Sequence, residues 1–322
     1  MSVSKLFALL ALCSVEVLAE PAGGLVGDLL HTVSVARDAS LGAPTYPTTP
    51  GSYPTSTPPG STTTVTVTVP ATTTVSVTTT VTASCTPTPT LSCDKYGYLI
   101  QNVTLFQVDL ATGKYSTVKE RVDNQSINSI GYNTKDNLLY GARSDNKLIR
   151  IGADGTAGVV ATLSDGGNVG DIDTDGYYWH GTGGSTWNQV DLRPNSATYG
   201  KLIANGTMST LGLDIKDWAY IPVGGRYLYS AALNTTRGGT TLIRFSLDTK
   251  KWEVVQQYPN VGGTLGAWGA VYGINNGTLY ASYNRNGEIW AFPVNGGKAY
   301  FASQGPASGL NDGARCVLNL EV

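Results

Sequence analysis

Short segments in which apolar and polar residues alternate recur along the C-terminal two-thirds of the chain. In one such segment Leu, Ile or Val faces one side and Gln, Arg or Asp faces the other, which is the pattern of a half-buried β-strand. An aromatic-rich segment precedes each copy, and a turn containing Gly, Asn, Asp or Pro follows it before a further strand begins. The alternating segments are residues 105–109, 148–151, 187–191, 242–245 and 289–292.

The spacing of these copies predicts the fold. Successive copies begin 43, 39, 55 and 47 residues apart, which is the length of one four-stranded propeller blade. Each blade also needs an innermost strand rich in small residues, and five candidates occur. They are residues 129–132, 169–172, 216–220, 268–271 and 313–316.

We therefore predict an all-β, five-bladed β-propeller over residues 93–322, with four-stranded blades. Its last candidate strand lies at the opposite end of the chain from the blade that begins near Tyr96, so the C-terminal strand is expected to close the ring. A β-sandwich is the rival fold. It does not explain five copies of one unit.

The N-terminal part has a different composition. Residues 1–19 have the basic start, apolar centre and small-residue end of a signal peptide, which predicts a secreted, extracellular or cell-wall protein. Residues 20–44 are predicted to be a poorly ordered leader. Residues 45–92 are rich in Thr, Ser and Pro, which predicts an O-glycosylated stalk. A flexible unmodified linker is the alternative. The alternation of Val and Thr within this segment also resembles a β-strand.

Export makes the cysteines and asparagines informative. Cys93 and Cys316 lie at the two ends of the predicted ring, so a disulfide between them is expected, with Cys85–Cys93 as the local alternative. Under the first pairing Cys85 is left free or bonded to another chain. Five N-glycosylation sequons are predicted to lie on exposed turns or edges, at Asn102, Asn124, Asn205, Asn234 and Asn276.

Composition and charge exclude several classes of function. A formal net charge of −2 with 14% charged residues argues against a nucleic-acid-binding protein. The predicted signal segment is too short to remain as a membrane anchor. No phosphate-binding loop or His-based metal site is recognised, so we expect no cofactor, and we expect a monomer.

Several segments resemble a domain of unknown function that is common in secreted filamentous-fungal proteins. These segments are residues 92–101, 108–113, 131–133, 148–152, 168–171 and 311–316. The resemblance covers most of residues 93–316. It implies a fungal origin and a propeller-like fold, and it transfers no activity and no catalytic residues.

Carboxylates on the candidate inner strands are the first possible site of chemistry. Asp171, Asp217 and Asp312 are expected to face the central channel, where converging carboxylates resemble the layout of five-bladed glycosidases. Such enzymes usually place a Glu as the acid, and no Glu lies on these strands. The alternative, which we favour, is that the three residues accept backbone hydrogen bonds.

Two further patterns suggest ligands. Trp218 and Trp268 flank inner strands, so exposed indole rings beside Asp217 and Asp312 are predicted as a ligand-binding surface, with burial between blades as the alternative. Asp171, Asp173 and Asp175 match the start of a calcium loop but lack its final Glu, and the turn Asp175-Gly176 favours a plain hairpin. His180, the single histidine of the domain, is interpreted as structural.

Three functions remain open on this evidence. The leading hypothesis is non-catalytic recognition of an extracellular glycan, a cell-wall polysaccharide or a protein. The second is a secreted glycoside hydrolase or lyase that uses the channel carboxylates. The third is a structural wall glycoprotein that acts through its stalk alone.

Overall fold

The computed structural model describes residues 62–66, 78–82 and 88–322. The first two segments are strands β1 (Thr62–Thr66) and β2 (Thr78–Thr82), which pair antiparallel. They lie inside residues 45–92, the segment predicted to be a stalk. Val and Thr are both β-branched, which restricts their side chains in a way that favours strands.

Residues 88–322 form one compact unit of five four-stranded antiparallel sheets, a five-bladed β-propeller as predicted. From the axis outward, the second blade is β6 (Ile127–Asn133), β7 (Leu138–Arg143), β8 (Lys147–Ile151) and β9 (Ala157–Thr162), and the third is β10 (Val169–Ile172), β11 (Tyr177–Gly181), β12 (Thr186–Asp191) and β13 (Leu202–Thr207). The fourth is β14 (Ala219–Tyr220), β15 (Tyr227–Leu233), β16 (Thr240–Ser246) and β17 (Trp252–Tyr258), and the fifth is β18 (Trp268–Ile274), β19 (Thr278–Tyr283), β20 (Glu288–Pro293) and β21 (Tyr300–Gln304). A 3-10 helix, Pro222–Gly224, lies between β14 and β15.

The first blade closes the ring, because its innermost strand comes from the C-terminus. Strand β22 (Asn311–Arg315) pairs with β3 (Gly97–Gln101), which continues outward through β4 (Thr104–Val108) and β5 (Tyr115–Lys119). Cys93 and Cys316 form a disulfide beside this junction, with their Cα atoms 5.2 Å apart. The predicted closure and the predicted pairing are both confirmed.

Apolar side chains between neighbouring blades make up the core. Every residue of β18 and β22 is buried, whereas the outer strand β5 is mostly exposed. A blade has two faces to cover and can do so only by packing against a neighbour on each side. The folded unit also includes residues that the sequence assigned to the stalk: Leu91 is buried and donates its N–H to the carbonyl of Asn137.

Within the described part of the chain, no helix has the length and apolar character needed to cross a membrane.

Candidate functional site

The inner strands bring their aspartates toward the axis, and Asp312 shows how. Strand β6 carries a bulge at which Ser129 adopts a positive φ of 55°. This conformation turns two successive N–H groups toward the axis. Asp312, on β22, accepts both: Ser129 N donates to Oδ2 at 3.0 Å and Ile130 N donates to Oδ1 at 2.9 Å. The Asp312 side chain thereby joins the first blade to the second.

Asp217 makes the equivalent connection between other blades. It precedes β14, and its Oδ1 accepts the N–H of Trp218 at 2.7 Å. Its Oδ2 accepts the N–H of Val271 in β18 at 2.7 Å and that of Gly313 in β22 at 3.3 Å. One carboxylate therefore contacts the fourth, fifth and first blades.

Asp171 completes the set. Its Oδ2 accepts the N–H of Tyr220 in β14 at 2.7 Å, which joins the third blade to the fourth. Unlike Asp217 and Asp312, which are fully buried, Asp171 keeps partial access to solvent.

Burial dominates the electrostatics of these three carboxyls, which we call the axis aspartates. Loss of solvation raises the pKa of Asp171 to about 8 and raises the pKa of Asp217 and Asp312 well above the usual range. The negative charge of Asp173 raises the pKa of Asp171 further, and the charges of other axis aspartates raise the pKa of Asp217 and Asp312. The backbone N–H donors act in the opposite direction. The inner strands therefore bring the three carboxyls near enough for their charges to act on one another.

The contacts fit the structural interpretation of these residues better than the catalytic one. A glycosidase carboxyl has to reach the glycosidic oxygen or the anomeric carbon of its substrate. Here the oxygens of Asp217 and Asp312 are enclosed and already accept backbone N–H groups. A sugar could approach these oxygens only if the inner strands separated.

The expectation that Trp218 and Trp268 are exposed is wrong. Both rings are buried between blades. Trp218 stacks on Phe245 with ring centroids 6.1 Å apart, and Trp268 packs on Tyr283 at 4.9 Å. A large ring next to an inner strand fills the wedge between two diverging blades, so neither indole offers a face to a ligand.

The proposed calcium loop folds as a hairpin turn. Asp173 Oδ1 accepts the N–H groups of Asp175 and Tyr177, and its Oδ2 accepts the indole N–H of Trp179 at 2.8 Å. Asp171 faces Tyr220 instead. Among the described residues no group of three or more His, Cys, Asp or Glu side chains is arranged to hold a metal ion. The calcium alternative therefore has no geometric support.

The predicted glycosylation sites lie in accessible places. Asn102, Asn124, Asn205 and Asn276 are exposed, and Asn234 is half-buried. Cys85 and the predicted signal segment lie outside the described residues.

An aromatic surface that the sequence analysis missed flanks the cleft between the fifth and first blades. Tyr115, the first residue of β5, pairs with Val108, and its ring packs edge-on against Phe106 at 5.7 Å. Tyr300, the first residue of β21, has its hydroxyl 3.3 Å from that of Tyr280.

Both tyrosines border the same apolar cluster. Val108 and Tyr280 belong to the core between the fifth and first blades, and Phe106 packs against that core. Tyr115 is 53% exposed and Tyr300 is 49% exposed. We call this pair the cleft tyrosines. The signal in the sequence was an aromatic residue directly after the turn that leads into an outer strand.

A family model described as a repeat of unknown function (DUF6923) matches residues 101–318. No curated protein matches the sequence.

Solved structures with similar folds include the nidogen/laminin complex, at 12% identity and a TM-score of 0.46, covering 66% of this chain and 80% of that one. The β-propeller domain of Cps50 (Swd1) from Myceliophteria thermophila matches at 14% identity and a TM-score of 0.39, covering 76% and 81%. The Dos1 propeller matches at 11% identity and a TM-score of 0.38, covering 64% and 57%.

Proposed function

The chain belongs to the family of repeats of unknown function DUF6923, and from this premise we propose that it is a non-catalytic recognition protein whose propeller binds an extracellular glycan. The cleft tyrosines carry this proposal. Aromatic rings that are half exposed beside a cleft can pack on the apolar faces of sugar rings, and the tyrosine hydroxyls can bond to sugar hydroxyls.

The enclosed axis argues for this function over catalysis. The carboxyls that a hydrolase would need are used to join blades. The exposed aromatic side chains that could contact a ligand, Tyr115 and Tyr300, lie instead on the outer strands. The outer strands are hydrogen-bonded to the strands beside them, and a surface ordered before binding suits recognition because little conformational entropy is lost on binding.

The test is binding of the purified chain to an array of plant and fungal polysaccharides. We expect Tyr115→Ala and Tyr300→Ala each to weaken binding about fivefold, since an aromatic contact contributes roughly 1 kcal/mol. The matched control is Phe301→Ala. Phe301 adjoins Tyr300 and is 51% exposed, but its strand partner Trp290 packs on the cluster between the fourth and fifth blades.

Equal losses in all three variants, or no binding to any glycan, would refute this assignment. Release of sugars that stops in Asp171→Asn would instead establish the hydrolase function.

Export is the second part of the proposal. The signal-like segment, the accessible sequons and the Cys93–Cys316 disulfide support it, because disulfides persist in oxidising compartments. Expression in a secreting host should yield protein in the medium that begins near Glu20 and loses mass on treatment with an N-glycosidase. Retention of an intact N-terminus inside the cell would contradict it.

A further inference from the structure

A cavity of about 230 Å³ lies where the first blade meets the second. Its wall includes Leu310, directly before β22, Ser126, directly before β6, and Asn102, in the turn between β3 and β4. Asn102 is the one predicted N-glycosylation site among the lining residues. The volume is below the range of about 300–1,000 Å³ that is usual for small-molecule sites, so the cavity suits a group about the size of a single sugar ring.

Asn102 is held in one orientation at the wall of this cavity. Its backbone N–H donates to the carbonyl of Leu310 at 3.0 Å, and its carbonyl accepts the N–H of Ile127 at 2.9 Å. Its side-chain Oδ1 accepts the hydroxyl of Ser126. That bond uses the amide oxygen and leaves Nδ2, the atom to which an N-glycan is joined, on the other branch of the amide. Because Asn102 is exposed, a sugar on Nδ2 starts from a fixed point beside the cavity.

Leu310 gives the cavity an apolar wall that is open to solvent. Its side chain is 64% exposed, although its carbonyl is fixed by the bond from Asn102. Exposed apolar surface is unfavourable in water, and the C–H groups of a sugar ring or the methyl of an N-acetyl group can cover it. The chain itself can therefore supply a cover for Leu310 from the neighbouring glycosylation site.

The charged groups in the wall favour an uncharged occupant. Arg143 bonds to Asp123 at 3.0 Å and is also paired with Asp145. Asp165 accepts the hydroxyl of Thr182 at 2.9 Å. An anion would find the guanidinium already neutralised, whereas sugar hydroxyls can both donate to a carboxylate and accept from N–H groups.

We propose that this cavity holds the first N-acetylglucosamine of an N-glycan attached at Asn102, an inference that rests on the export and glycosylation proposed above. The host's glycosyltransferase forms the bond from Nδ2 to C1 of the sugar, displacing its lipid-linked diphosphate as the amide loses a proton. The ring then packs on Leu310 and bonds to the polar wall. Attachment makes this contact intramolecular, with an effective concentration of roughly millimolar or more, so a weak sugar contact is enough to fill the cavity.

The experiment uses the full chain, secreted from a host that adds high-mannose glycans. One version keeps only the sequon at Asn102 and carries Asn124→Gln, Asn205→Gln, Asn234→Gln and Asn276→Gln. The matched control keeps only Asn276, which is also exposed in a hairpin turn but does not line this cavity. An endoglycosidase trims each glycan to one N-acetylglucosamine. The same two sequences exported by a host that attaches no N-glycans supply the bare chains.

Urea unfolding compares each trimmed chain with its bare counterpart. We expect one N-acetylglucosamine at Asn102 to raise the folding equilibrium constant at least about fivefold, and at Asn276 to change it less than about twofold. Leu310→Ser removes the apolar wall at an exposed position, so the bare variant should fold and the gain at Asn102 should fall below about twofold. Nuclear Overhauser contacts between the sugar protons and the Leu310 methyl groups should appear in the Asn102 chain.

Mass spectrometry of the peptide that contains Asn102 separates two kinds of failure. An unmodified Asn102 in the glycan-adding host would refute the glycosylation proposed for this site, and this inference with it. A modified Asn102 would overturn this inference alone under any of three results: a gain no larger than at Asn276, an equal gain in Leu310→Ser, or no Overhauser contact with Leu310.

Discussion

Aspartates at the axis and at the periphery of this propeller are surrounded by different donors. Asp217 and Asp191 are both inaccessible to solvent. Asp217 lies deep at the axis and is bonded only by backbone N–H groups. Asp191 lies at the end of β12 beneath Arg193, whose guanidinium is 2.8 Å away, and also accepts bonds from the hydroxyls of Ser196 and Thr198.

The two environments shift the pKa in opposite directions. Loss of solvation outweighs the backbone donors at Asp217 and raises its pKa, whereas at Asp191 the bonds from Arg193 and the two hydroxyls outweigh burial and lower it. The same is true of Asp145, whose pKa the Arg143 guanidinium lowers. The comparison teaches that an Asp at the axis joins blades, while an Asp at the periphery stabilises a single turn.

The largest expected effect is the pH dependence of stability, which tests the difference between the axis and the peripheral aspartates. Asp171 has a pKa of about 8 in the folded chain against about 4 when unfolded. Between these values the unfolded chain releases a proton that the folded chain keeps, so the free energy of unfolding should fall as pH rises from 4 to 8. Asp171→Asn keeps an acceptor for the N–H of Tyr220 and cannot ionise, so its slope should be smaller by about 1.4 kcal/mol per pH unit.

Urea unfolding at pH 5, 6 and 7 measures that slope. Asp145→Asn is the control, because a carboxyl with a lowered pKa titrates below this window. Identical slopes for the wild type and Asp171→Asn would show that the axis carboxyl is ionised in the folded state.

The next effect is loss of a carboxylate that joins blades. Asp217→Ala leaves the N–H groups of Val271 and Trp218 buried without acceptors, and we expect a destabilisation of about 3–5 kcal/mol. Asp248→Ala, which removes an exposed partner of Arg226, should cost less than about 1 kcal/mol. Denaturant midpoints measure both, and similar values would contradict the distinction between axis and periphery.

The third largest effect is expected from removing the disulfide that closes the ring. Replacing Cys93 and Cys316 with Ser removes a covalent link between residues 223 positions apart and should cost about 2–4 kcal/mol. Cys85→Ser is the control and should unfold like the wild type. If Cys85→Ser alone lowered the unfolding temperature, the closure would depend on a different pairing.

The smallest effect compares two glycines. A Cβ on Gly170, in the inner strand β10, would lie 2.4 Å from the carbonyl oxygen of Ser129, so Gly170→Ala should cost about 1–3 kcal/mol. On Gly158, in the outer strand β9, the nearest atom would be Arg150 Nε at 3.8 Å. Gly158→Ala should therefore be neutral or stabilise by less than about 1 kcal/mol. Calorimetry of both variants would show whether the close approach at Gly170 makes its substitution more costly than that of Gly158.

Much of the fold could be predicted because it repeats. Five copies of one alternating pattern indicated the blades, and the position of residues 313–316 at the far end of the chain indicated how the ring closes. The candidate site was predicted less well. Asp171, Asp217 and Asp312 do join neighbouring blades, but Trp218 and Trp268 were expected at the surface, and the cleft tyrosines were overlooked.

The sequence by itself determined the five blades and the way the C-terminal strand closes the ring, because these depend on a repeated local alternation and on turn residues. Only the tertiary structure decided which side chains meet. The bulge at Ser129 aims two N–H groups at Asp312, and the wedge between blades encloses Trp218. These contacts join residues up to 183 positions apart, so their outcome depends on the angle between blades, which no local pattern encodes.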